Sequence, residues 1–137
     1  MRGRRRAKGG SGGRIVLTNH SRYETEDLLR FFERGLRALR QGHRVKRILV
    51  VPSPIRSRGC ATVGGDSIVI AIASPSHFSL RRLARLFEHE VTHNKGLDHE
   101  EMRQNVLWSL GPVPRWAKGT VLRWRRDACH IIAVSKE

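Results

Sequence analysis

Short apolar runs alternate along the chain with stretches whose apolar residues recur at helical spacing, and this pattern fixes an element order. "RIVLT" (14–18) predicts a short β-strand. In "NHSRYETED", Ser21 and Glu24 have the three-residue offset of a capping box, in which hydroxyl and carboxylate each satisfy an N–H at a helix start. Leu28, Leu29, Phe32, Leu36 and Leu39 then recur at helical spacing, with Gly42 as the expected stop. "RVKRILVVP" (44–52) predicts a second strand, "RGCATVGG" (58–65) a weaker one ending in a turn, and "DSIVIAIAS" (66–74) a stronger one. The last is apolar on both faces, as an interior strand is. "SPSHFS" breaks the sheet and supplies Ser79 as the N-cap of a second helix, whose apolar face is Leu80, Leu83, Ala84, Phe87 and Val91 and whose end falls near Gly96. Residues 103–137 read as a short helix, a Pro-bounded loop and one more helix or strand. The β-α-β-β-β-α order predicts an α+β fold, a single small domain with a mixed, twisted sheet.

Charge divides the chain. Lys and Arg number 27 against 12 Asp and Glu, a net +15 with a pI near 11.6, which makes a field attractive to polyanions. Residues 1–13, "MRGRRRAKGGSGG", combine like charges with glycine, both of which oppose compaction. They read as a disordered basic arm able to associate non-specifically with nucleic acid, leaving 14–137 as the folded domain. The two cysteines, Cys60 and Cys129, are too few to staple a domain of this size and suit a reducing compartment. The start lacks the apolar stretch of a secretory signal and no window approaches the length of a membrane span, so the expectation is a cytoplasmic protein.

The chemistry concentrates in "FEHEVTHNKGLDHEEM" (87–102). His89 and His93, four residues apart, project about 40° apart on a helix, so both imidazoles can reach one metal ion. Glu90 projects beside them, placed to act on water as a general base without being a ligand. On an unbroken helix His99 would point about 120° away from His93. Gly96 removes this obstacle, because glycine can take a positive φ, turn the chain and bring His99 back. Three neutral nitrogens with a fourth position open make a catalytic Zn²⁺ site rather than a closed structural one. Asp98 and Met102 are candidates for a supporting shell around the third histidine.

As it stands, "HEVTHNKGLDH" resembles the H-E-x-x-H-x-x-G-x-x-H signature of the metzincin zinc metallopeptidases at every specified position. That resemblance implies a minimal zincin-like domain with a backing helix, an active-site helix and one edge strand open to an extended peptide, for which "RGCATVGG" is the candidate. It also implies peptide-bond hydrolysis of a peptide or protein substrate, with Glu90 catalytic and His89, His93 and His99 on zinc. Metzincins place a methionine turn well downstream of the third histidine, whereas Met102 follows it by three residues, so the chain is similar to a minimal or divergent member. The spacing H-x3-H-x5-H, "GLDH" and "GGDSIVI" also resemble bacterial rRNA-maturation zinc endoribonucleases of the YbeY type. Those usually carry glycine where Glu90 stands. The alternatives to a peptidase are therefore such a nuclease acting on RNA, or a non-catalytic zinc or nucleic-acid-binding protein.

His20, His43, His77 and His130 are isolated and given no role, and Glu88 reads as an exposed charge. Trp108, Trp116 and Trp124 read as packing residues, large side chains that a domain poor in aromatics needs inside. Deleting residues 1–13 is expected to leave the thermal midpoint unchanged while weakening polyanion binding and flattening its salt dependence, measured by filter binding across a salt series.

Overall fold

A computed structural model describes residues 14–39, 42–61, 63–96, 112–127 and 131–134. The elements run β1 (Val16–Asn19), α1 (Thr25–Arg37), β2 (Arg47–Ser53), β3 (Arg58–Ala61), β4 (Ser67–Ala73), α2 (Leu80–Asn94), a single 3-10 turn (Arg115–Ala117) and β5 (Ile131–Val134). The fold is α+β, as the alternation predicts. The strands form one mixed sheet in the order β3-β4-β2-β1-β5. β1, β2 and β4 are mutually parallel, while β3 pairs antiparallel with β4 and β5 antiparallel with β1. The apolar run of β4 is thus interior, and "RGCA" is an edge. The basic arm, and residues 97–111 with His99, Asp98, Met102 and Trp108, lie outside the described residues.

The core follows from strand alternation. Ile48 and Val50 of β2 and Ile68, Ile70 and Ile72 of β4 are buried together with Leu28, Phe31, Phe32 and Leu36 of α1 and Leu83, Ala84, Phe87 and Val91 of α2. Each such Val, Leu, Ile or Phe side chain contributes about 1.5–3 kcal/mol when fully buried. The two helices meet closely because α1 carries Gly35 at the crossing, where a Cβ would come within 2.9 Å of the Phe87 ring. Among the described residues no helix is long and apolar enough to cross a membrane.

The start of α1 differs from the expected capping box. Asn19, buried at the end of β1, accepts from both the backbone N–H (2.9 Å) and the hydroxyl (2.7 Å) of Ser21, so that hydroxyl is committed outside the helix. The N-cap is Glu24, with no side-chain cap bond, and the helix ends at Arg37, short of Gly42. A distant segment secures this end instead. Arg123 donates its backbone N–H and Nε–H to Asp27 Oδ2, both at 2.9 Å, and an Nη–H to Oδ1 at 3.0 Å. Tyr23, also buried here, donates its hydroxyl to the carbonyl of Ala73 at 2.6 Å, and burial pushes its pKa up to about 12.

The hydrogen bonds from Arg123, more than its charge, hold the Asp27 carboxyl below the usual carboxylate range. The Arg123 side chain is 67% exposed, so solvent screens much of the Coulomb part. A folded-state pKa below the unfolded one gives stability that is present above the unfolded value and lost as pH falls through the folded one. The thermal midpoint should therefore drop as pH is lowered from about 5 toward 2. Asp27→Asn should lower the midpoint at neutral pH and flatten that acid limb, measured by circular dichroism melts across the range.

Candidate metal centre

α2 is built as the sequence predicts. The Ser79 hydroxyl accepts the Arg82 N–H at 3.2 Å as N-cap. The face carrying Leu83, Phe87 and Val91 enters the core, and the adjoining face carries Arg82, Arg85, Leu86, His89 and His93, spaced so that they form one stripe. Where the stripe meets the sheet edge, Nε2 of His89 and Nε2 of His93 stand 3.1 Å apart, with the rings at 88° to one another. Two nitrogens bound to one tetrahedral zinc would lie about 3.3 Å apart, from Zn–N lengths of about 2.0–2.1 Å. Glu90 joins them, and one ligand atom from each of the three residues lies within 4.8 Å of the others. Among the described residues this is the one cluster of three or more metal-capable side chains. The group can hold a metal ion.

Glu90 and His93 are buried, at 3% and 5% exposure. Burial raises the Glu90 carboxyl to about pH 7, although the charged form of His93 works against the shift. The burial comes from β3, because a Cβ at Gly59 would stand 3.0 Å from both Cγ and Oε2 of Glu90. A side chain at this position would crowd that carboxylate, and glycine lets the edge strand pass without displacing it. The sequence holds a sign of this residue, a glycine inside a strand-like run, which marks either a bulge or a close approach.

At its C-terminal end the helix stops at Asn94, and Gly96, with a φ of 104°, makes the turn expected after the second histidine. The His93 carbonyl there accepts from Gly96 N–H at 2.9 Å and from Gly64 N–H at 2.8 Å, so the β3–β4 turn also satisfies a helix-end acceptor. The structure therefore brings together His89, Glu90 and His93, with Gly96 beyond them. His99, Asp98 and Met102 fall outside the described residues. Glu88 is not the exposed charge expected of it: it pairs with Arg85 at 2.8 Å and accepts Trp116 Nε1–H at 3.0 Å, beneath a loop brought in from residue 112 onward. Trp116 packs against Phe31 and Phe87, whereas Trp124 is partly exposed and lies edge-on to Tyr23. His43 and His77 bond locally, to the Val45 N–H and the Ser76 hydroxyl.

A cleft of about 660 Å³ opens over the histidines, with Gly59 and Ala61 on one wall and Arg82, Leu86, His89 and His93 on the other. It is large enough for several residues of an extended chain. No protein-family model, curated protein or solved structure matches this chain. The geometry alone therefore carries the functional reading.

Gly59→Val is expected to push Glu90 aside or lift β3, lowering the thermal midpoint while leaving His89 and His93 able to hold a metal ion. Metal retained per chain after desalting, measured by atomic emission, should be unchanged in this variant and lost in His93→Ala.

Proposed function

We propose that this protein is a zinc-dependent peptidase in which His89 and His93, with His99 as third ligand, hold Zn²⁺ and Glu90 is the general base. The observation that carries the reading is the convergence of two imidazole Nε2 atoms to 3.1 Å beside a buried carboxylate, directly under an edge strand. The donor set fits zinc, since neutral imidazoles at tetrahedral spacing are its common protein ligands. Bound there, zinc would supply Lewis acidity, polarising the scissile carbonyl and acidifying the attacking water toward neutral pH. Glu90 takes the proton from that water and delivers it to the departing amine nitrogen, and its burial raises its proton affinity as a base requires. β3 offers its outer backbone groups to an extended substrate, which fixes the scissile bond across the histidines.

One observation favours a zinc endoribonuclease instead: Arg58, Arg81, Arg82 and Arg85 line the cleft and suit phosphates. The buried carboxylate next to the ligand pair favours the peptidase, because a base beside the water is what amide hydrolysis needs. Glu90→Gln keeps size and polarity but cannot take up the proton. With zinc still bound, it is expected to lower peptide kcat/KM by about 10²–10⁴-fold, measured with casein and quenched peptides. Undiminished cleavage by a zinc-replete Glu90→Gln protein would overturn the mechanism. Cleavage of structured RNA, but of no peptide, by the wild-type chain would overturn the assignment. His99→Ala should lower zinc occupancy as His89→Ala does, and unchanged occupancy would remove His99 from the ligand set.

A further inference from the structure

The stripe of α2 that bears the metal-binding histidines does not end with them. Arg85, Arg82 and Arg81 precede His89 by four, seven and eight residues, or about 6, 10 and 12 Å along the helix axis at about 1.5 Å per residue. All three line the cleft, and Arg58 joins them from β3, against Glu90 as the one carboxylate among the described lining residues. Arg85 is engaged on Glu88 and on the Pro112 carbonyl, and Arg81 and Arg82 are exposed farther along the cleft. Arg82 uses its Nε–H on the Ser57 carbonyl at 2.9 Å, which fixes the guanidinium at the wall.

Three contacts give the cleft a polarity. Arg82 meets Ser57, Glu90 meets Gly59 and the His93 carbonyl meets Gly64, so β3 and the turn after it run in the same direction as α2. A peptide added antiparallel to β3, the slightly more stable pairing, must run the opposite way. Its C-terminal part then lies along Arg85, Arg82 and Arg81. At about 3.3 Å per extended residue, the guanidinium groups fall about two to four residues beyond the bond held at the histidines. We propose that the cleft selects peptides with acidic side chains at those positions, on the C-terminal side of the scissile bond. This rests on the peptidase reading above and adds the substrate class and its direction.

The test uses the full chain carrying Glu90→Gln, supplemented with zinc, and reads binding by fluorescence anisotropy. The probes are peptides with a metal-binding hydroxamate to fix the register. One series carries it at the N-terminal end, so that the chain extends as the C-terminal part of a substrate would, and the other at the C-terminal end. Each series has Asp and Glu, or Gln, two to four residues from the hydroxamate. The acidic peptide of the first series is expected to bind at least about tenfold more tightly than its Gln counterpart, a contrast that shrinks as ionic strength is raised beyond about 0.5 M. The second series should show a much smaller contrast, and Arg81→Gln with Arg82→Gln should remove that of the first. Equal contrast in both series, or contrast that survives the double substitution, would overturn the proposal, because the chain's general positive charge would then account for it. So would a short RNA that binds more tightly than the acidic peptide and loses that advantage with the same substitutions. Hydroxamate peptides that bind no better than plain ones would instead count against the metal site and the peptidase reading.

Discussion

The close passage of β3 over α2 at Gly59 and Glu90 is the contact on which the burial of the carboxylate and one wall of the cleft depend. A carboxylate excluded from water by a neighbouring strand costs stability, and the upward shift of its pKa is the mark of that cost. The strand cannot drift away to relieve it. Ser57 before Gly59 is held by Arg82, Gly64 after it by the His93 carbonyl, and β3 is laddered to β4 throughout. Below, the apolar face of the same helix is sealed into the core through Leu83, Phe87 and Val91, which offsets what the polar face gives up.

The rotation of α2 about its own axis decides whether His89 and His93 face the cleft or the solvent. Apolar packing alone tolerates small rotations, while directional bonds do not. Arg85 and Glu88, next to the first histidine, are fastened to Pro112 and Trp116, and the Trp116 ring is wedged against Phe31 and Phe87. Farther along the chain, Arg123 closes on Asp27 at the start of α1 and Arg125 on Glu24. The segment from 112 to 127 thus clasps both helices, with Ala117 in the core and Trp116 packed against it. Its directional bonds come from charged and aromatic side chains, whose partners hydropathy does not reveal.

Most of the elements, and the histidine pair, were legible because their causes are local. Ser79 caps α2 through a bond to a residue three positions on, and His89 and His93 share a face because helical geometry makes residues four apart neighbours. Gly96 turns the chain through its own φ. The apolar run of β4 announced an interior strand. Charge gave the sign of the surface potential, and "HEVTH" gave the donor atoms and their spacing.

Tertiary structure decided what depends on residues far apart. The Ser21 hydroxyl was taken by Asn19 rather than by α1, since a buried amide at a strand end needs its own partners filled. Gly59 and Glu90 are thirty-one positions apart, and although a glycine in a strand-like run hints at a close approach, nothing local names Glu90 as the group a Cβ there would meet at 3.0 Å. Glu88 became a bonded anchor because a tryptophan twenty-eight residues later folds back over it. Of 27 basic residues, only the direction of α2 relative to β3 selects the few that line the cleft. By itself the sequence determined backbone periodicity, donor chemistry and net charge, which are properties of neighbouring residues. The burial of Glu90, the polarity of the cleft and the orientation of the histidines were settled by chain crossings, because each is a contact between segments whose separation in sequence carries no spacing rule.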